Sequence, residues 1–190
     1  MSSSTRRSVL LLSVEAALYI GCPRLSWSQE SQTMPVNELP TTNSLPTILV
    51  SQFWIAAPCI DTDVPGYLVL RAKDAYRHFN ETPVQLQSEL GVLLGKLESA
   101  ISKVTGAQHV YIARFSEASA SLHFHLFPRT ASIASEFLRE SPLANGDVNG
   151  PLLFDWARRK YHVVRPTFLS AQTINVADKI RATLAASNDR

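Results

Sequence analysis

Apolar side chains recur at spacings of three and four through Leu86, Leu90, Leu93, Leu97, Ile101 and Val104. A single stripe of this period predicts an amphipathic helix over 83–105. Thr82 reads as its N-cap, Pro83 as its first helical residue and Gln85 as the closing member of a capping box. Gly106 reads as its C-terminal stop. Elsewhere the period shortens. "TILVSQFWIAA" (47–57) is dense in β-formers and predicts one or two strands, and "DVPGYLVLRA" predicts a Pro65-Gly66 turn followed by a strand over 67–72. "HVYIARF" (109–115) and residues 121–128 predict two strands joined by a short Ser/Ala loop, hence an antiparallel hairpin. A short helix is expected around 131–139, a turn-rich loop at "NGDVNG" (145–150), and helices at 152–162 and 171–186. There is no internal repeat. Strands, one long helix, more strands and trailing helices predict an α+β domain built on an antiparallel sheet.

The segment before this pattern has a different character. Residues 24–46 are polar and carry Pro35, Pro40 and Pro46, the composition of a linker or draped arm. "STRRSVLLLSVEAALYIGC" has an arginine pair, an apolar run and Gly21-Cys22, as in a secretory leader, but Glu15 interrupts the run and it is too short to span a membrane. The expected division is an N-terminal extension with a possible leader and linker (1–46), a main domain (47–170) and a C-terminal helix packing on it (171–190). A non-functional extension is favoured over a cleaved leader. The expected location is cytoplasmic, with export as the alternative if residues 1–22 are a leader.

Composition narrows the function classes. The 190 residues can bury a real core, and 45% hydrophobic with 18% charged residues is ordinary for a globular chain. A formal net charge of +2 gives no argument for nucleic acid. Two cysteines, Cys22 and Cys59, make neither a disulfide framework nor a thiolate zinc site.

The chemistry concentrates in "SLHFHLFPR" (121–129). On a strand, Ser121, His123, His125 and Phe127 share one face, and Leu122, Phe124 and Leu126 share the other, ready to pack under the helix stripe. The two imidazoles then stand about 6–7 Å apart along the strand. Three readings follow. Two half-buried histidines without chemistry would need dedicated polar partners. A metal clamp on His123 and His125 suits zinc, copper or iron, but needs a third ligand. The nearest carboxylate, Glu117, is six residues before His123. The third reading is nucleophilic catalysis, since imidazole is neutral near pH 7 and is a good phosphorus nucleophile and leaving group. A rigid strand would hold both rings for in-line displacement.

The same stretch resembles the active-site strand of the histidine-triad (HIT) superfamily, H-x-H-x-H followed by two apolar residues and commonly Pro-Arg. "DVPGYLVL" resembles that family's P-G-H-x-L-V turn and strand. The long helix, "VYIARFSE" and the motif follow in family order, so the resemblance covers roughly 47–130. It is greatest to small dinucleoside-polyphosphate-hydrolase-like members. The resemblance implies an antiparallel sheet with one long helix and often a homodimer. It also implies cofactor-free, metal-independent attack on a nucleotide α-phosphate through a nucleotidyl-histidine intermediate. His123 takes the middle position, the nucleophile. His125 takes the third, a phosphate and leaving-group contact. Ser121 stands where the first histidine would be, and Asp74 where a further histidine often follows the second strand. The implied substrate is a dinucleoside polyphosphate or nucleoside phosphoramidate. A catalytically weak nucleotide-binding module and a metal-dependent enzyme are the alternatives.

Other residues carry two readings each. Ser121, Glu117, Arg129 and Asp74 are candidate substrate contacts. Arg129 reads first as a solvated or salt-bridged strand-end residue, and Glu117 reads equally as a surface-loop carboxylate. Arg158, Arg159 and Lys160 read first as a solvated helix face and second as a polyphosphate contact. Phe53 and Trp54 read first as core and second as a stacking cover for a base. His78, His109 and His162 carry no argument.

Overall fold

The computed structural model describes residues 46–115, 121–141, 146–164 and 169–188. The leader-like segment, most of the polar linker and Glu117 lie outside these residues. Five strands form one antiparallel sheet: β1 (Leu49–Val50), β2 (Trp54–Pro58), β3 (Leu68–Ala72), β4 (His109–Ala113) and β5 (His123–Arg129), in the order β1-β2-β3-β5-β4. Four helices follow the strands' hydrophobic logic: α1 (Val84–Thr105), α2 (Ala131–Glu140), α3 (Gly150–Lys160) and α4 (Ala171–Asn188). The class is α+β, as the pattern predicts. Among the described residues no helix is long and apolar enough to cross a membrane.

The α1 stripe is buried at Leu86, Leu90, Leu93, Leu97 and Ile101, and Val104 packs against the same core. Facing it are Trp54, Leu68, Leu70, Leu122 and Leu126, the alternate residues of three strands. Helix α4 adds Ala177, Ile180 and Leu184 to this layer. The start of α1 differs from expectation. The helix begins at Val84, with Pro83 flanking it in an extended conformation, and Gln85 closes no capping box. Thr82 is drawn away by a 3-10 turn at Phe79–Glu81, where its hydroxyl donates to the Phe79 carbonyl at 2.6 Å. The C-terminal stop holds: Gly106 is left-handed at φ 70°.

The other face of the sheet is covered as well. Ile133, Ala134 and Phe137 of α2 and Leu153, Phe154 and Ala157 of α3 pack on Tyr67 and Phe127. The α2 start is set by Thr130, whose side chain accepts from Ile133 N, and the α3 start by Asn149, whose side chain accepts from Leu152 N. Between β2 and β3, Gly66 turns the chain at φ 87°. A Cβ there would stand 2.5 Å from Thr105 Cγ2, so only glycine lets the turn rest against the end of α1. This turn delivers Tyr67 to the second face.

Candidate active site

Strand β5 lies between β3 and β4, so its side chains have neighbours on both sides. Val69 and Ala113 stand opposite His125, and Arg71 stands opposite His123. The imidazoles share the α2/α3 face, their ring centroids 5.1 Å apart and their planes at 79°. His125 is buried at 7% exposure, while His123 is half-buried towards the open end of the strand. One ring is thus held in the protein and the other stands at its edge.

Each ring is oriented through Nδ1, one by a carbonyl and the other by a hydroxyl. His123 Nδ1 lies 2.7 Å from the Ser121 carbonyl. A carbonyl only accepts, so Nδ1 carries the proton, and Nε2 of the neutral ring carries the lone pair. His125 Nδ1 lies 2.8 Å from the Tyr67 hydroxyl. Burial pushes the Tyr67 phenol far above its ordinary range, so it keeps its proton, and a protonated hydroxyl can donate to Nδ1. With that donation the Nε2 of His125 is the N–H, and the site sets a nucleophilic nitrogen beside a donor.

His125 is held neutral. Burial, then the neighbouring His123, then Arg158, lower its pKa to about 4. Arg158 is committed to Asp61 at 2.9 Å, and Asp61 also accepts from Thr62 Oγ1 at 2.7 Å and Cys59 Sγ at 3.1 Å. Burial opposes the ionised Asp61 carboxylate, but these donors hold it below its ordinary range. Burial and Asp61 push the Cys59 thiol up to about 12, so Cys59 is no nucleophile at neutral pH.

The depressed His125 pKa makes a stability prediction. The folded state keeps this ring neutral down to about 4, while an unfolded histidine protonates near 6.5. Its contribution is complete above pH 6.5 and is lost as pH falls towards 4, on the order of 3 kcal/mol. Urea midpoints measured across this window should fall for the wild type, and fall distinctly less for His125→Gln. Equal slopes would refute the assignment.

The sequence-predicted residues separate into groups. Ser121 reaches His123 through its carbonyl. Arg129 lies six residues along β5, about 20 Å from His123 at strand rise, and its Nη2 donates to Gln108 Oε1 at 3.0 Å. Asp74 is exposed, past the end of β3. Trp54 is fully buried, its indole N–H donating to the Leu86 carbonyl, so it is core and not a base cover. Arg159 pairs with Asp155, and Lys160 with Glu136 and Glu140. Among the described residues no group of three His, Cys, Asp or Glu side chains comes together to hold a metal ion.

Three contributors were not singled out from sequence: Tyr67, Asp61 as the partner of Arg158, and the aromatic wall. Phe115 stacks on Phe154 at 5.8 Å, and both rings lie within 6.1 Å of the His125 centroid. Beyond them opens a cavity of about 780 Å³ lined by Tyr111, Ile112, Phe115, Pro151, Phe154 and Arg158, among others. For Tyr67 a signal existed, because alternation back from Val69 puts it on the imidazole face.

No family model and no curated protein matches the sequence. Solved structures do. A histidine triad protein from Marinobacter aquaeolei VT8 is similar with a TM-score of 0.51 at 18% identity, over 75% of this chain and 90% of that one. A hypothetical histidine triad nucleotide-binding protein from Sulfolobus tokodaii strain7 is similar with a TM-score of 0.50 at 10% identity, over 75% and 85%. At these identities the likeness shows the fold. The chain has the fold of histidine-triad proteins.

Proposed function

We propose that the chain is a nucleotide hydrolase or nucleotidyltransferase that cleaves at a nucleotide α-phosphate through a nucleotidyl-histidine on His123. The observation that carries this reading is the pair of imidazoles on one strand face, one oriented by the Ser121 carbonyl and the other by the Tyr67 hydroxyl. The lone pair of His123 Nε2 attacks phosphorus. A P–N bond forms, and the bond from phosphorus to the leaving group breaks. The ring becomes cationic, and its Nδ1–H donates to the Ser121 carbonyl, which stabilises that charge. The Nε2–H of His125 donates to a phosphate oxygen or to the leaving atom, where negative charge develops. Water then attacks phosphorus, the P–N bond breaks, His123 leaves as a neutral ring and the proton of the water passes to solvent.

The low pKa of His125 supports a donor that remains an uncharged N–H throughout the neutral range. Ser121 gives a hydroxyl where the family pattern has an imidazole, so the oxyanion support there is a neutral hydrogen bond. Assembly as a homodimer belongs to the same proposal. It is supported by β4, an edge strand with Ile112 40% exposed, and nearby Phe115 56% exposed.

The test is a panel of dinucleoside polyphosphates and nucleoside phosphoramidates incubated with the purified chain in ¹⁸O-water, with product analysis. A nucleoside monophosphate carrying one ¹⁸O is the expected product. If no nucleotide is turned over, the hydrolase reading is wrong. Binding without turnover would put a nucleotide-binding module in its place.

A further inference from the structure

Strand β3 is the middle strand of the sheet, and its residues should be the best buried. Leu68, Leu70 and Ala72 are buried, and Val69 is half-buried. Arg71 breaks the series: it is exposed, on the face that α2 and α3 cover further along. Its antiparallel register partner is His123. Side chains opposite each other in such a pair project from the same face with Cβ atoms about 4.5–5.5 Å apart. Lys73 follows two residues on, also exposed, its N–H bonded to the Phe53 carbonyl.

Among the described residues neither Arg71 nor Lys73 has an ion-pair partner, a state they share with Arg77, Lys103, Arg114, Arg129 and Lys179. The one acidic residue next to them in sequence, Asp74, is exposed. A guanidinium directly across from a ring that becomes cationic during the reaction is an unfavourable placement unless an anion sits between them. The other register partner of Arg71, on β2, is the half-buried Ile55, and the Arg71 side chain stays exposed beside both neighbours.

From this register we infer that Arg71, continued by Lys73, binds the phosphates of the leaving group. The inference rests on the proposed reaction and narrows it. The substrate class is the polyphosphate-linked nucleotide, whose leaving group carries at least two negative charges, and not the phosphoramidate, whose amine leaves uncharged. A planar guanidinium takes two oxygens of one phosphate at once, and the ammonium of Lys73 takes the next as a point charge.

The experiment compares Arg71→Gln with the wild type on a dinucleoside tetraphosphate and on a nucleoside phosphoramidate. The ratio of kcat/KM for the two substrates should fall by about 100-fold in the variant, the size expected for losing one charged donor at developing charge, and Arg71→Lys should restore part of it. Circular dichroism checks the fold, which an exposed position should leave intact. Equal losses on both substrates, or none, would overturn the inference while leaving the hydrolase reading in place. Calorimetric titration with inorganic tripolyphosphate separates the two ideas from the other side. Wild type should bind it and Arg71→Gln should bind at least tenfold more weakly, whether or not any nucleotide is turned over. Unchanged affinity would also overturn it.

Discussion

His123→Ala is expected to lower turnover by at least three orders of magnitude with the fold intact. Each order corresponds to about 1.4 kcal/mol of barrier, and loss of a covalent catalyst removes the two-step path altogether. The fold should survive because His123 is half-buried and its side-chain hydrogen bond, to the Ser121 carbonyl, is local. The decisive measurement is a quenched reaction with α-labelled nucleotide. Label should be trapped in an acid-labile bond on wild-type protein and absent from His123→Ala. Trapping on the variant, or unchanged turnover, would move the nucleophile elsewhere. His125→Ala should lose less, about two to three orders, because a donor that stabilises charge does not form the bond.

Phe127→Ala should produce the largest loss of stability among single truncations on the β5 strand. The ring is fully buried, with its centroid 5.2 Å from Tyr67, 5.4 Å from Phe154 and 6.2 Å from Tyr111. Truncation leaves a cavity between the sheet and α3, and costs about 3–5 kcal/mol, a large part of the ~5–15 kcal/mol typical of a domain. Val92→Ala, at a position 59% exposed on α1, should stay within about 0.5 kcal/mol. Urea unfolding of both variants checks the contrast. A Phe127→Ala loss no larger than that of Val92→Ala would mean that α2 and α3 do not depend on this core.

How much of this was legible in the sequence varied with distance along the chain. The α1 stripe repeats five times at helical spacing, and one period fits it. The β5 alternation likewise placed Leu122 and Leu126 towards α1 and both imidazoles on the other face. What could not be read was which sheet face α2 and α3 would cover, because periodicity identifies an apolar side without naming its partner. The Tyr67–His125 bond joins residues 58 apart, and the Arg158–Asp61 pair residues 97 apart. Neither separation leaves a local trace. Thr82 was misread for a local reason: two structures competed for one threonine, and the 3-10 turn took it.

The uneven covering of β5 also bears on how such a chain can change over generations. At the Phe127 end the strand is enclosed by side chains on both faces, so almost any replacement there threatens folding. At the Ser121 end Leu122 still belongs to the core, but Ser121 and His123 are half-buried and Arg71 is exposed, and these side chains can be exchanged with little effect on stability. The end that carries the proposed nucleophile is therefore the more permissive part of the strand. A serine at position 121, or an arginine opposite His123, can be tried there without first rebuilding the scaffold. Substrate preference on this framework is free to drift faster than architecture.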